Sequence, residues 1–440
     1  MARFLFTVWP FAGHVYPNIA VAHALQEKGH EVAFYTGANI SSLLEQEGFR
    51  RFPFIRVDED TVSDVVLSQR TVPSLIKNPF PMITIYRRWL LDTVCDQVDD
   101  LREIMKIWEP DCFVCDPTFW GPILVLHEQS TIPVAVSSFM VGCMIPGPGA
   151  PPWGLGLPLP KTPGTRLLVQ TVRSITELLG GSFRRQVNML RGKYALPPLS
   201  GSVNTYTARL PLYLIPSIPE LDYNRMDLPT SVHYTGACVW NKKSDNPPPR
   251  WLSLLPRNRP WIHVTEGTMH SQKPFVLNAA AAAFAEMDVQ VIMTTGGERD
   301  PDLLQSDTIS SNIRIEQWVP HADLLPLTDI MITTGGAGSI LAALTAGVPL
   351  IIIPTQWDKP DNAQRVVASG AGIRLSPYRC TPQRLRAAAE KMLATASYRD
   401  NAQRLAGIFK QYRGSVRAAE LLTDLCRESD CTAAQTGKIS

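Results

Sequence analysis

The 440-residue chain has no excess of charge of either sign: 42 Lys and Arg against 40 Asp and Glu leave a formal net charge of +2. That balance argues against nucleic acid as a partner, which calls for a concentrated basic surface. Long apolar runs are missing too. No window approaches the roughly 18 uninterrupted apolar residues of a spanning helix, so no transmembrane segment is expected. The start, "MARFLFTVWPFAGH", is apolar but short and runs into a Gly-His turn. It is expected to be a buried first strand rather than a cleaved leader. The eight cysteines are scattered. Cys112 and Cys115 form a C-x-x-C inside "CFVCD", but positions i and i+3 of a strand face opposite sides, which speaks against redox or metal use. A reduced, cytoplasmic protein is the expectation. No short-period repeat is visible.

What is present reads as a globular α/β protein, with 45% hydrophobic and 19% charged residues. The length exceeds one ordinary core, so two domains of roughly 200 residues each are expected. In the first half, "RFLFTVW" reads as a strand, "YPNIAVAHALQEKG" as a helix closed by Gly29, and "HEVAFYTG" as the next strand. "RWLLDTVCDQVDDLREIMKIW" reads as one long amphipathic helix before the strands "DCFVCD" and "IPVAVSS". The pattern restarts at "PWIHVTEGT" and continues through "VQVIMTTG", "IRIEQWV", "DIMITTGG" and "GVPLIIIP". Such alternation predicts parallel sheets. The expected division is 1–230 and 231–425, with a last helix able to pack back on the first domain and a frayed tail over 426–440. The Pro-rich stretch Met144 to Gly164 is too apolar for a plain linker and is expected to fold over a pocket.

Gly335, Gly336 and Gly338 follow the strand "DIMITT" and open a helix near Ser339. Glycine lets backbone N–H groups approach a ligand, and a helix N-terminus favours anions, so phosphate is the natural guest. The dinucleotide pattern G-x-G-x-x-G fails, because Leu341 stands where its third glycine belongs. A Walker A loop fails as well, for want of Gly-Lys-Ser/Thr. A tight strand-to-helix turn without a ligand stays open as the alternative.

Four stretches in order, "QWVPHADLL", "TTGGAGS", "AGVPLIIIP" and "DKPDNAQRV", together with "GHVYPNIAVAHALQEKGHEVAFYTG" near the start, resemble the UDP-glycosyltransferase superfamily from Arg3 to about Leu425. The form of the glycine turn and of "DKPDNAQRV" is similar to a bacterial and fungal natural-product branch. The resemblance implies the GT-B fold, in which two Rossmann-like β/α/β domains face a cleft. It implies inverting transfer of a sugar from a UDP- or dTDP-sugar to a hydroxyl of a small lipophilic or aromatic acceptor, with no cofactor and no metal. His14 would be the general base and Asp116 its carboxylate partner. Trp318 would stack on the nucleotide base, with His321 near base or ribose. Gly335, Gly336, Gly338 and Ser339 would hold the diphosphate, faced by Thr268. Asp358 and Lys359 would contact the donor sugar.

Three positions depart from the superfamily's usual pattern. Thr334 stands for a histidine, which weakens a phosphate donor to a hydroxyl. Ala342 stands for a glutamate that grips the ribose, and Lys359 for a glutamine. Acceptor walls are expected from Trp120, Phe139 and Met140, with Tyr86 and Trp153 as further candidates. The acceptor aromatics could equally be core residues; a core position is the alternative for Trp318, and surface charge for Asp358 and Lys359. Of two D-x-D triplets, Asp58 to Asp60 lies in an irregular stretch with no flanking phosphate loop, and Asp300 to Asp302 has Pro301 at its centre in a polar turn; neither is expected to bind metal. A catalytically silent binding protein of the same ancestry and a nucleotide-sugar epimerase remain alternatives at this point.

Overall fold

The computed structural model describes residues 1–60, 62–63, 84–85, 87–223, 225–240, 248–268, 274–296, 300–304 and 310–436. Tyr86, one candidate acceptor wall, lies outside the described residues.

Alternation in "RFLFT" sends Phe4 and Phe6 to one face of β1 (Arg3–Thr7) and Leu5 to the other, and both faces are buried. Two-sided burial is the condition for an all-parallel sheet covered by helices. The first sheet runs β3-β2-β1-β4-β5-β6-β7, built from Glu31–Thr36 (β2), Arg50–Pro53 (β3), Cys112–Cys115 (β4), Val134–Ser137 (β5), Leu212–Ile215 (β6) and Val232–Tyr234 (β7). Every pairing is parallel. The helix Ala12–Glu27 lays Val15, Ile19, Ala22 and Leu25 on one face at helical spacing. The last helix, Ser415–Thr436, adds Ala418, Ala419, Leu422 and Cys426 to the same core. Cys112 and Cys115 sit in the cores on opposite faces, and both are free, as are Cys95, Cys143, Cys238, Cys380 and Cys426.

The second sheet runs β10-β9-β8-β11-β12-β13, also parallel throughout. Its strands are Trp261–Thr265 (β8), Gln290–Thr294 (β9), Ile313–Glu316 (β10), Ile330–Thr333 (β11), Leu350–Ile352 (β12) and Gly372–Arg374 (β13). The alanine-rich helix Phe275–Phe284 packs Val276, Leu277 and Ala280 on one face. Ile340, Leu341 and Leu344 of the helix Ala337–Thr345 cover the other. In each sheet the strand order reverses beside the first strand of that half, at β1/β4 and at β8/β11. Open parallel sheets bind ligands at the carboxyl ends of strands flanking such a point.

Three sequence expectations change. The first sheet extends past residue 230, because Val232–Tyr234 pairs with Tyr213–Ile215. The chain from 426 is not a frayed tail at its start: Cys426 is buried and its helix continues to Thr436. The long helix read from Arg88 to Trp108 is interrupted. A π-turn occupies Arg87–Leu91 and the α-helix begins at Val94. Between them the Thr93 hydroxyl donates to the Trp89 carbonyl at 2.7 Å, a local bond that competes with the regular ladder.

The Pro-rich stretch does fold across the cleft. Gly154 and Gly156 donate their backbone N–H groups to the two oxygens of Asp361, each at 2.6 Å. Arg374 Nη1 donates to the Gly156 carbonyl at 2.7 Å. Gly156 has φ +58, and a Cβ there would meet the Pro360 carbonyl oxygen at 2.7 Å, so both the backbone and the close approach require glycine. Nearby, Arg365 Nε donates to Asp222 Oδ1 at 2.8 Å, with both side chains buried. Among the described residues no helix is long and apolar enough to cross a membrane.

Candidate active site

Register places Thr7 of β1 beside Cys115 of β4, and the chain leaving each strand carries one member of a polar pair. His14 is not in a loop, as the sequence suggested, but in the first turn of the Ala12–Glu27 helix. The helix begins that early because the Phe11 carbonyl accepts from the backbone N–H groups of His14 and Val15 at 2.8 and 3.0 Å. Its Nδ1 is hydrogen-bonded to Asp116 Oδ2. Asp116 is fully buried, and its Oδ1 accepts from the Thr118 backbone N–H at 2.7 Å and the Thr118 hydroxyl at 2.5 Å. A carboxylate so placed holds a proton on Nδ1 and leaves the lone pair on Nε2. Phe139 stacks on the imidazole with ring centroids 3.7 Å apart, which fixes the ring plane.

His14 and Phe139 stand where two cavities meet, and Asp358 and Lys359 border both. The first cavity lies at the β8/β11 reversal. Thr265 to Thr268, Trp318, His321, Thr334 and the glycine turn line it. Trp318 is 43% exposed, so it is no core residue. Burial pushes the His321 pKa down to about 4, which keeps its ring neutral near pH 7. The glycines divide in role. Gly335 has φ +93, and a Cβ there would come within 2.9 Å of Ile352 Cγ2, so the turn itself requires it. At Gly336 and Gly338 an added Cβ would meet no protein atom within 4 Å. Their missing side chains leave space that opens into the cavity, beside the uncapped first turn of the Ala337–Thr345 helix.

Asp358 and Lys359 begin the helix Lys359–Ala368 and are not surface charges. Lys359 is 8% exposed, and burial lowers its pKa to about 8 against the opposing pull of Asp358 and Glu266. Burial raises the Asp358 pKa, while Asn362 Nδ2, donating to Oδ2 at 2.7 Å, pulls it back. Thr334 is buried, donates its hydroxyl proton to the Glu266 carbonyl at 2.9 Å and accepts from Lys359 Nζ at 3.2 Å.

The second cavity, of about 550 Å³, is an ordinary size for a small-molecule site. Trp120, Phe139, Met140 and Trp153 all line it, as the sequence anticipated. Trp89, Phe11, Phe183 and Trp357 line it too and were not anticipated. Trp357 comes from the second half of the chain, has φ +61 and meets Trp89 edge-on at 5.6 Å. Left-handed backbone is costly for so large a residue, and here it turns Trp357 to one cavity just before Asp358 borders both. Neither D-x-D triplet lines either of these two cavities. Asp58 and Asp60 are exposed, and Asp300 Oδ1 caps the Asp302 N–H at 2.9 Å.

Comparison with known proteins places the chain in a family. Residues 11–99 match the glycosyltransferase family 28 N-terminal domain, and residues 278–409 match the erythromycin biosynthesis protein CIII-like C-terminal domain. The 4'-demethylrebeccamycin synthase of Lentzea aerocolonigenes is 31% identical over 428 residues, covering 96% of this chain and 99% of its own. The chain belongs to the natural-product branch of the UDP-glycosyltransferase superfamily. This glycosyltransferase is also similar to the demethyllactenocin mycarosyltransferase of Streptomyces fradiae, at 24% identity over 434 residues, 97% of this chain and 87% of the relative. Its fold is GT-B. The crystal structure of a calicheamicin glycosyltransferase superposes with a TM-score of 0.73 at 20% identity, covering 96% and 98% of the two chains. A spinosyn rhamnosyltransferase does so at 0.70 and 18%, covering 97% and 99%.

Within the glycosyltransferase, then, the residues singled out from sequence and described in the structure gather around one cleft. Trp89 escaped notice because it was read as part of a continuous helix, and Trp357 because nothing in "TQWDKP" announces a left-handed residue. Asp361 was passed over inside "DKPDNAQRV", although a carboxylate so close to Asp358 was the one available signal.

Proposed function

We propose that the enzyme transfers a sugar, with inversion at the anomeric carbon, from a UDP- or dTDP-sugar in the first cavity to a hydroxyl of a small lipophilic acceptor in the second. The observation that carries this reading is the His14–Asp116 pair at the junction of the two cavities. The acceptor O–H gives its proton to His14 Nε2 while its oxygen bonds to the anomeric carbon from the face opposite the diphosphate. The bond from that carbon to the phosphate oxygen breaks, and the electron pair leaves with the nucleoside diphosphate. Asp116 steadies the imidazolium that forms. Backbone N–H groups at the start of the Ala337–Thr345 helix favour the charge developing on the leaving group, which is why no metal is invoked. Asp358 would accept hydrogen bonds from the donor sugar. Ala342, on the wall of the first cavity, offers a ribose hydroxyl no partner, which favours tolerance of both ribose and deoxyribose.

The test is an incubation with UDP-glucose and dTDP-glucose, excess EDTA and a panel of phenolic and macrolide acceptors. Addition of one sugar mass, with a β-linkage formed from the α-linked donor, is the expected product. A retained α-linkage would end the general-base assignment, and dependence on added metal would end the metal-free account.

Trp318 gives a separate check on the donor side. Trp318→Ala should weaken UDP and dTDP binding by about 1–3 kcal/mol, the usual cost of a lost base stack. Calorimetry that found both affinities unchanged would leave Trp318 without a part in nucleotide binding.

A further inference from the structure

Lys359 is a buried cation whose surroundings suit an anion better than a sugar hydroxyl. Its ammonium donates to the Thr334 hydroxyl at 3.2 Å, and that hydroxyl directs its own proton to the Glu266 carbonyl at 2.9 Å. The direction of both bonds is therefore fixed, with a lone pair of Thr334 turned to the ammonium. The lysine also lies against the glycine turn: a Cβ on Gly335 would lie 3.3 Å from the Lys359 carbonyl oxygen and 3.5 Å from its Cβ. Lys359 thus lines the same cavity as Gly336, which precedes the nine-residue Ala337–Thr345 helix and supplies no side-chain cap. A cation and the positive end of a helix at one wall of one cavity reinforce each other, and both favour negative charge. Two acids, the buried Glu266 and the half-buried Asp358, act on the ammonium as well. Glu266 Oε1 accepts from the Val276 N–H at 2.7 Å, and Asp358 Oδ2 accepts from Asn362.

We propose that Lys359 binds the diphosphate of the nucleotide sugar and stabilises the charge it gains on leaving, rather than reading the sugar. This rests on the nucleotide-sugar reading of the first cavity. As the acceptor oxygen bonds to the anomeric carbon, the electron pair of the breaking bond stays on the phosphate oxygen facing the ammonium. The acceptor's proton still goes to His14. Sugar hydroxyls then fall to Asp358, whose carboxylate accepts from them.

Calorimetry of UDP and dTDP against uridine and thymidine tests this on the wild type, Lys359→Gln and Lys359→Arg. Lys359→Gln should weaken both diphosphates by about ten- to a hundred-fold, the range for a lost charged hydrogen bond, and leave both nucleosides unchanged. Lys359→Arg should keep most of the diphosphate affinity. The pH profile adds a readout that loss of packing would not move. The charged groups facing the ammonium are Asp358 and Glu266, with His14 across the junction. With the ammonium pKa at about 8 in the free protein, UDP affinity in the wild type should hold up to about pH 8 and fall above it. The last ionisation of the diphosphate, at about pH 6, lies below that window. In Lys359→Arg the fall should vanish, because guanidinium stays charged. Equal losses for nucleosides and diphosphates, or unchanged UDP binding in a Lys359→Gln enzyme with an altered sugar ranking, would overturn the proposal. A wild type that bound none of the four compounds would overturn the nucleotide-sugar reading along with it. Wild-type binding of UDP with no effect of Lys359→Gln would remove the lysine's role alone.

Discussion

Replacing His14 with alanine is expected to lower transfer to an ordinary alcohol acceptor by about 100- to 10,000-fold, the range for a lost general base. UDP affinity should be nearly unchanged, because the imidazole acts on the acceptor's proton and the nucleotide is held by the second sheet. The choice of acceptor matters to the reading. An acidic phenol arrives partly ionised and needs less help, so its loss should be smaller than that of an aliphatic alcohol. Steady-state rates on the two acceptor classes, with UDP titrations alongside, decide the matter. Activity within a few-fold of wild type on the alcohol would remove His14 from the chemistry. A parallel fall in UDP affinity would recast it as a structural residue.

Asp116→Asn should be nearly as damaging, although it preserves shape and volume. The reason lies in Thr118. Its backbone N–H and its hydroxyl both donate to Asp116 Oδ1, so an asparagine there must turn its carbonyl oxygen to Thr118 and its NH₂ to His14. An NH₂ facing Nδ1 selects the tautomer with its proton on Nε2, and the base then has no lone pair for the acceptor. A loss of about 100-fold or more is expected, in line with the roughly 10⁴-fold effect of the corresponding change in a serine protease triad. Thr118→Val combined with Asp116→Asn removes the hydroxyl but leaves the backbone N–H donating at the same oxygen, so the amide should stay turned and the loss should persist. Recovery of near-wild-type activity in a stably folded double variant would count against the tautomer explanation.

The residues that were legible in the sequence share a physical origin. His14, Asp116, Thr334 and Trp318 all follow strands, and a parallel sheet brings the carboxyl ends of its strands to one edge whatever the intervening loops do. Strand identity alone was enough to bring His14 to Asp116 in one sheet and Thr334 to Trp318 in the other. The glycine turn was legible because few functions call for so many glycines at a helix start, though its division into one structural glycine and two open ones needed coordinates. What stayed hidden depended on contacts between distant segments. The bonds from Gly154 and Gly156 to Asp361 span about two hundred positions, and no periodicity encodes them. The strand Val232–Tyr234 went unread because it is only three residues long, too short to show any alternation. The break before Val94 was missed because a threonine bonding to its own backbone leaves the apolar spacing around it intact.

The Asp361 clamp bears on turnover in a way that the two cavities do not. Asp361 lies two residues beyond Lys359, on the helix that borders the donor cavity, and holds the segment that carries Trp153 on the acceptor side. To admit a bulky acceptor or release its glycoside, the cleft must part at this clamp, at the Arg374–Gly156 bond and at the buried Arg365–Asp222 pair. Charged hydrogen bonds of that kind are slow to give way when water is kept from them. On the proposed reaction, these contacts would bear on the dwell time of product through side chains away from the sugar and the reacting hydroxyl, where substitution leaves the chemistry unaltered.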